Sequence, residues 1–195
     1  MKRHGSLHRL WARLDAARVV AVSRVLGPSH AVRYLRAPRP FAVAFVLRGL
    51  GATIGAGTTF KGALVVENTS EDEHSAGDLR HLRIGRNCYI GEGVHLDLAH
   101  EITIGDNVLL SGHVSVLTHA DCNRSSFLAA CFPRICAPVT VGDGAWIAYG
   151  ATVFPGVTIG PEAVVAAGSL LREDAESRWL YAGVPARRVR LITDS

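Results

Sequence analysis

The most regular pattern of apolar and polar positions in this chain has a period of six residues. Between residues 141 and 170 an aliphatic side chain recurs at every sixth position, at Val141, Ile147, Val153, Ile159 and Val165. A helix repeats its apolar positions every three to four residues and a half-buried strand every two, so this period indicates a repeat architecture. Each hexad fits one short strand and one tight turn. Three hexads therefore predict one coil of about 18 residues in a triangular, parallel β-helix.

The same period extends towards the N-terminus, with two interruptions. Hexads begin near Ile54, stop within the polar residues 67–78 and resume at Ile84. Further along, the interval between the hexads at Ile104 and Val141 is longer than one coil by about 19 residues. The additional residues lie in the range 118–138. We therefore predict that residues 118–138 leave the β-helix as a long loop. Residues 67–78 have the composition of a solvated loop or a lid.

Residues 1–51 lack the hexads and are predicted to be helical. Apolar positions follow helical spacing up to Gly27 and Pro28, which end a first helix, and a second helix is predicted from about Pro40 to Arg48. The first helix is rich in basic residues, namely Lys2, Arg3, Arg9, Arg13, Arg18 and Arg24. These charges permit contact with a membrane surface, but packing against its own domain or a sister subunit is the favoured interpretation.

Length and composition favour one domain that does not span a membrane. The chain has 195 residues, 48% of them hydrophobic, and no apolar run approaches the roughly 18 residues that a spanning helix needs. We expect a helical segment at residues 1–51, a β-helix domain at residues 52–190 and a tail at residues 191–195. The net charge of +4 comes without a DNA- or RNA-binding motif, so no nucleic-acid partner is expected. Four cysteines without a secretory signal favour a cytoplasmic location.

Two motifs together resemble those of the hexapeptide-repeat acyltransferases. The first is the set of hexads, and the second is VAAGSLLRED followed by YAGVPARRVR near the C-terminus. The resemblance covers roughly residues 54–190. Within the family, the chain is similar to galactoside, maltose and polysaccharide O-acetyltransferases. It implies an all-β fold, a left-handed parallel β-helix with N-terminal α-helices and a long loop insertion. It also implies acetyl-CoA as co-substrate, no required metal and a homotrimer.

His119 is the predicted catalytic base. It lies in the segment THADCN, where the regular hexads stop, so rigid coils would hold it beside a variable loop. Transfer of an acyl group to a hydroxyl needs a base that works near neutral pH, and imidazole is the side chain that titrates there. The resemblance agrees, because acetyltransferases of this family carry their catalytic histidine at the root of such a loop. It implies direct transfer without an acyl-enzyme.

The resemblance places the coenzyme A site on the C-terminal coils. Small residues at the corners, such as Ala148 and Ala167, let a ligand approach the backbone amides that stabilise an oxyanion. Guanidinium groups suit the phosphates, so Arg172 is preferred over its neighbour Glu173. The predicted CoA-binding residues are Ala148, Tyr149, Ala167, Arg172, Arg187 and Arg190.

Acceptor-binding residues are predicted one coil before His119. Stacked coils lie about 4.8 Å apart, so His95 and Asp97 in the segment VHLDLA can share a site with His119. Asp97 would either bind sugar hydroxyls or orient the imidazole. Gly91 stands where galactoside acetyltransferases have an acceptor-binding Asn, and Leu98 where serine acetyltransferases have their catalytic His. The resemblance therefore implies neither a galactoside nor serine as the acceptor.

The leading function is transfer of acetyl from acetyl-CoA to a hydroxyl of a sugar, glycan or glycosylated metabolite. N-acetylation of an amino sugar remains an alternative. A γ-type carbonic anhydrase shares the prism, but His113 and His119 fall in consecutive hexads and so on different faces. A non-catalytic scaffold would leave His119 and the C-terminal motif unexplained. Zinc bound within the insertion is not favoured, because Cys122, Cys131 and Cys136 lack a close C-x2-C pair.

Overall fold

The computed structural model describes residues 3–39 and 41–193, with side chains from Leu10 onward. Pro40, the predicted start of the second helix, and the last two residues of the predicted tail lie outside these ranges. Three helices precede the β-structure: α1 (Arg3–Leu26), α2 (Ser29–Leu35) and α3 (Val43–Gly49). The first and third correspond to the predicted helices, whereas the sequence pattern does not predict α2.

Small side chains allow the three helices to pack closely. On one face of α1, Ala12, Ala16 and Val19 are almost completely buried. A Cβ atom added to Gly49 at the end of α3 would lie only 2.5 Å from Cγ2 of Val20, so the two helices touch at this glycine. In the structure the first helix packs against its own domain, which is one of the two alternatives favoured from the sequence. None of the described helices combines the length and apolar character needed to cross a membrane.

The described part of the β-helix consists of five coils with three short strands each. The first coil contains β1 (Thr53–Ile54), β2 (Thr59–Phe60) and β3 (Leu64–Glu67), and the second contains β4 (Leu82–Ile84), β5 (Tyr89–Ile90) and β6 (Val94–Asp97). The third coil contains β7 (Ile102–Ile104), β8 (Leu109–Leu110) and β9 (Ser115–Val116). After the insertion, the fourth contains β12 (Val139–Val141), β13 (Trp146–Ile147) and β14 (Thr152–Val153). The fifth contains β15 (Thr158–Ile159), β16 (Val164–Val165) and β17 (Leu170–Leu171).

Corresponding strands of successive coils pair in parallel and form the three faces of a prism. The first sheet has the order β1-β4-β7-β12-β15, and the third sheet has the order β3-β6-β9-β14-β17. The second sheet runs β2-β5-β8-β13-β16 and continues into a C-terminal hairpin of β18 (Trp179–Gly183) and β19 (Ala186–Leu191). The predicted parallel β-helix is confirmed.

The aliphatic residues of the hexads form ladders inside the prism. In the first sheet the ladder is in register from coil to coil and consists of Ile54, Ile84, Ile104, Val141 and Ile159. Each of these side chains is buried. The corners stack equally closely, since a Cβ atom on Gly85 would lie 2.4 Å from the carbonyl oxygen of Gly105. Only glycine fits such a corner, which explains why it so often follows the aliphatic residue.

The insertion leaves the prism after β9 and returns at β12, as predicted, but it has structure of its own. It contains β10 (His119–Ala120), α4 (Ser126–Cys131) and β11 (Ile135–Cys136), and β10 pairs with β11 in antiparallel fashion. Ser125 caps α4 by accepting a hydrogen bond from the amide of Leu128 at 3.2 Å. At the root, the amide of Ala137 donates to the carbonyl of Thr118 at 2.9 Å, so the two ends of the insertion meet.

Candidate active site

His119 lies at the edge of the prism between the third and first sheets. It is the first residue of β10, directly after the chain has left the third sheet, and it is paired across the insertion with Cys136. The rigid third coil therefore supports its backbone on one side and the insertion supports it on the other. Its side chain is 28% exposed, so part of the imidazole is open to a ligand.

Asp97, at the end of β6, is the main partner of His119. Its carboxylate is 2% exposed and accepts a hydrogen bond from Nδ1 of His119 at 2.7 Å. The same oxygen accepts from the backbone amides of Thr118 and His119, and the other oxygen accepts from Asn68 and from the amide of Ala99. Burial alone would raise the pKa of Asp97, but the donors from Asn68, His119, Thr118 and Ala99 outweigh it and hold the pKa below its ordinary value.

This geometry fixes the tautomer of His119. An ionised carboxylate can only accept, so Nδ1 of His119 carries the proton in the contact with Asp97. In the neutral ring, Nε2 is then the unprotonated nitrogen and a proton acceptor. The carboxylate also stabilises the imidazolium that forms when Nε2 takes a proton. The pair thus has the arrangement of a general base with an orienting acid residue.

The structure corrects the predicted acceptor-binding role of Asp97. The carboxylate is buried and both oxygens are occupied by donors of the chain itself, so it orients the imidazole, the second of its two predicted roles. His95 lies two residues earlier, with Nε2 3.1 Å from a carboxylate oxygen of Glu67. Its side chain is 26% exposed, so it is accessible beside the pair. An acceptor-binding role for His95 remains a prediction.

Asn68 is a site residue that the sequence pattern does not reveal. It follows β3, adopts a left-handed backbone conformation with φ 54°, and its Nδ2 donates to Asp97 at 2.8 Å. The same Nδ2 lies 3.5 Å from Nδ1 of His119. The alignment of successive coils could have indicated Asn68. Glu67 pairs with Asp97 in the third sheet, so the residue after Glu67 falls beside the site.

Arg134 connects the two irregular segments near His119. Its guanidinium binds the carboxylate of Asp72 in the polar loop of residues 67–78 and that of Asp121 in the insertion. Burial would raise the pKa of Asp72, but the hydrogen bond from Arg134 and the amide of His74 hold it below its ordinary value. The pKa of Arg134 is raised further by Asp72. The polar loop and the insertion are therefore held together at the site.

The histidines weighed for zinc do not gather around His119 within the described chain. His95 contacts Glu67, His100 stacks on His81 at 6.2 Å, and His113 meets the edge of Tyr149 at 5.3 Å. The group of metal-ligand types found among the described residues is Asp72, His74 and Cys136. Arg134 already neutralises the carboxylate of that group.

Two of the predicted CoA residues meet at another edge of the prism, between the second and third sheets. Tyr149 is 60% exposed, and its carbonyl accepts from the amide of Gly168, next to the exposed Ala167 in the following coil. Ala148 is buried and its amide already donates to the carbonyl of Val165 at 2.9 Å. The ladder between coils thus occupies the amide that the oxyanion role would need, and a CoA-binding role for Ala148 remains a prediction.

The predicted phosphate-binding arginines lie near the C-terminal end of the prism and are exposed. Arg172 follows the third sheet, with its guanidinium 5.6 Å from the ring centroid of Phe154. Arg187 and Arg190 lie on β19, and Arg187 pairs with Glu173 at 3.2 Å. The sequence thus identified exposed cations. One of them, Arg187, pairs with Glu173, the residue that was not preferred as a phosphate ligand.

His119 and the pair Tyr149 and Ala167 occupy opposite edges of the third sheet. Tyr149 comes shortly before β14 and Ala167 shortly before β17, and both strands belong to this sheet. His119 instead comes shortly after β9 of the same sheet. One chain therefore does not bring its own predicted CoA corner to its own predicted base.

Comparison with known proteins agrees with the fold and the motifs. No family model matches the chain. It is 32% identical over 118 residues to the galactoside O-acetyltransferase of Escherichia coli strain K12, which covers 58% of this chain and 55% of the relative. It is 28% identical over 147 residues to a putative colanic acid biosynthesis acetyltransferase of the same strain, covering 75% and 73%. The chain spans about half the length of the first curated relatives it matches.

Solved structures agree with these relatives. A hexapeptide-repeat-containing acetyltransferase of Vibrio cholerae O1 biovar eltor, complexed with acetyl coenzyme A, superposes with a TM-score of 0.69 at 25% identity. The match covers 94% of this chain and 88% of the other. The predicted resemblance is confirmed: in sequence and in fold, the relatives of this chain are hexapeptide-repeat acetyltransferases.

Proposed function

We propose that this protein is an acetyl-CoA-dependent O-acetyltransferase that acts on a hydroxyl of a sugar, a glycan or a glycosylated metabolite. The observation that carries the proposal is the buried Asp97 carboxylate, which accepts a hydrogen bond from Nδ1 of His119 at 2.7 Å and leaves Nε2 as the base of a partly exposed ring. The relatives named acetyltransferases support the reaction class. A buried carboxylate held against a partly exposed imidazole is also an arrangement that is more typical of active sites than of inert scaffolds.

The residues support direct transfer in one active site. Nε2 of His119 removes the proton from the acceptor hydroxyl while its oxygen attacks the thioester carbon, and Asp97 stabilises the imidazolium that results. The carbon–sulfur bond then breaks, the imidazolium returns its proton to the departing sulfur, and the products are an acetyl ester and free coenzyme A. In this mechanism no residue is acylated, because the acceptor oxygen attacks the thioester directly once both substrates are bound in one site.

The exposed corner around Tyr149 and Ala167 suits the pantetheine arm. Ala167 leaves the backbone open, and the arginines at the C-terminal end suit the phosphates. Since this corner and His119 occupy opposite edges of the third sheet, we infer that the base of one subunit meets the CoA corner of its neighbour. A closed trimer supplies three such sites between adjacent subunits.

The acceptor side is formed by the polar loop and the insertion. His95 and Glu67 form an accessible hydrogen-bonding pair near Asp97, and such groups suit sugar hydroxyls. The crosslink by Arg134 keeps both segments near His119. We therefore place the acceptor between these two segments, with the reacting hydroxyl at Nε2 of His119.

Replacement of His119 tests the proposal. We expect His119→Ala to reduce release of free CoA thiol by at least about a hundredfold, since a general base contributes about 10²- to 10⁴-fold. The measurement is a thiol assay with acetyl-CoA and a panel of monosaccharides, oligosaccharides, nucleotide sugars, amino sugars and glycosylated metabolites. The exposed His30 on α2 provides a matched control, and His30→Ala should retain wild-type turnover. Normal turnover in a folded His119→Ala variant would refute the assignment.

A further inference from the structure

The charge of the chain is divided between two regions of opposite sign. Residues 1–51 contain ten Lys and Arg residues and one acidic residue, Asp15, which gives a formal charge of +9. The remaining residues carry a formal charge of −5, so the total of +4 conceals the contrast. The helical segment is therefore strongly basic, while the β-helix with the candidate active site is acidic.

Helix α1 carries its larger apolar side chains on the outside. The buried face consists of small residues, with Ala12, Ala16 and Val19 against the other helices. The opposite face is also apolar, and its members Leu10, Leu14 and Val25 are 54%, 55% and 81% exposed. Exposed alanines continue this face at helical spacing, so the outer stripe consists of Leu10, Leu14, Ala17, Ala21 and Val25. The stripe is about 22 Å long at 1.5 Å per residue.

The borders of the outer stripe are cationic. At 100° per residue, Arg13 and Arg24 fall along one border, and Arg18 falls along the other together with Trp11, which is 62% exposed. Asp15 does not offset these charges, because its carboxylate accepts from the hydroxyl of Tyr34 and pairs with a different arginine, Arg39. On the first border, Arg24 donates to the carbonyl of Gly49 at 3.1 Å and the guanidinium of Arg13 lies 5.1 Å from the ring centroid of Phe45, so both keep their charge but lean towards α3. The outer face of α1 thus presents an apolar stripe with the exposed Arg18 and Trp11 along its other margin.

We propose that α1 docks on an anionic lipid surface through the outer stripe. A helix that lies in the membrane interface buries an apolar stripe below the headgroups and directs basic residues at the lipid phosphates, and Trp prefers that boundary. A second copy of α1 is a poorer occupant, because pairing the two stripes would place the rows of arginines against each other. The inference does not depend on the proposed activity.

Vesicle binding by the full-length protein tests this inference. We expect cosedimentation with vesicles of 30% phosphatidylglycerol in phosphatidylcholine, little binding to phosphatidylcholine alone, and weaker binding as salt is added. The exposed Arg18→Gln change should weaken binding about fivefold, since one arginine near the surface contributes about 1 kcal/mol. Lipids brominated in the upper acyl chain should quench tryptophan fluorescence in the wild type, and Trp11→Phe should abolish that quenching.

Acidic substitutions within the stripe provide the decisive comparison. Leu14→Glu and Val25→Glu should each weaken vesicle binding at least about tenfold, because a charge enters the apolar contact. Val189→Glu, at an equally exposed apolar position on β19, is the matched control and should bind as the wild type does. Absence of binding to anionic vesicles at low salt would overturn the inference. So would a change in oligomeric state in Leu14→Glu with unchanged vesicle binding, which would assign the stripe to a protein interface.

Discussion

The carboxylate of Asp97 accepts five hydrogen bonds from the chain, so a substitution there disturbs several contacts of the site at once. We expect Asp97→Asn to lower kcat by about a hundredfold or more while the Michaelis constant for acetyl-CoA changes little, because the neutral amide no longer holds Nδ1–H or stabilises the imidazolium. Steady-state kinetics measure this. A fall confined to that Michaelis constant would place Asp97 in substrate binding instead.

The same carboxylate predicts a pH dependence of stability. The pKa of Asp97 lies below its ordinary value in the folded protein, so the unfolded chain binds the proton first as the pH falls. Its contribution to the free energy of unfolding is complete above about pH 4 and is lost as the pH falls through the lowered pKa. Denaturant unfolding from pH 7 to pH 3 should show the advantage of wild type over Asp97→Asn shrinking at the acidic end. A constant difference would contradict this origin.

At the level of single residues, the sequence identifies His119 better than its surroundings. His119 stands where a visible period stops, and Asp97 falls one coil earlier at a distance that the repeat fixes. Arg134 has no such signal, because its contact with Asp72 joins residues 62 positions apart through irregular segments. The signal for Asn68 lies only in the register of the third sheet, where Glu67 pairs with Asp97. Ala148 was assigned from its small size alone, and the ladder that occupies its amide is a property of the assembled coils.

The polar loop and the insertion act as one element because Arg134 joins them. We expect Arg134→Gln to raise the Michaelis constant for the acceptor about tenfold and to leave that for acetyl-CoA nearly unchanged, because the proposed acceptor site lies between these segments. Kinetics with the acceptor found in the thiol screen measure both constants. The exposed Arg124 of the same insertion provides the control, Arg124→Gln. Equal effects on both substrates would show that the crosslink supports the whole site.

Among the elements, the hexads determine the strands closely because each coil repeats the same requirement for a buried aliphatic and a small corner residue. Helix α2 is not predicted by the hydrophobic pattern, because its seven residues are stabilised by the burial of Ala31 and Leu35 against neighbouring elements. The hairpin of β10 and β11 also escapes it, because a two-residue strand carries no periodicity.

For the whole molecule, the separation of His119 from Tyr149 and Ala167 leads to a test of the assembly. Two inactive variants, His119→Ala and Ala167→Trp, are coexpressed with different affinity tags, and mixed trimers are purified through both tags. If each site combines two subunits, each mixed trimer regains one of its three sites, because a single interface of the closed ring joins the intact His119 of one variant to the intact Ala167 corner of the other. Thiol release by the mixed species measures this. Mixed trimers without activity would show that each chain builds its own site.

The hydrogen bond between Ala137 and Thr118 has a consequence for how such proteins diversify. It closes the insertion at its root, while the pairing of β12 with β7 is fixed by the prism itself. The cost of closing a loop grows only with the logarithm of its length, so this segment can lengthen, shorten or be replaced with little effect on the coils. The residues between β10 and β11 can therefore be exchanged during evolution while His119 is kept, and we expect new acceptor preferences to arise in this way.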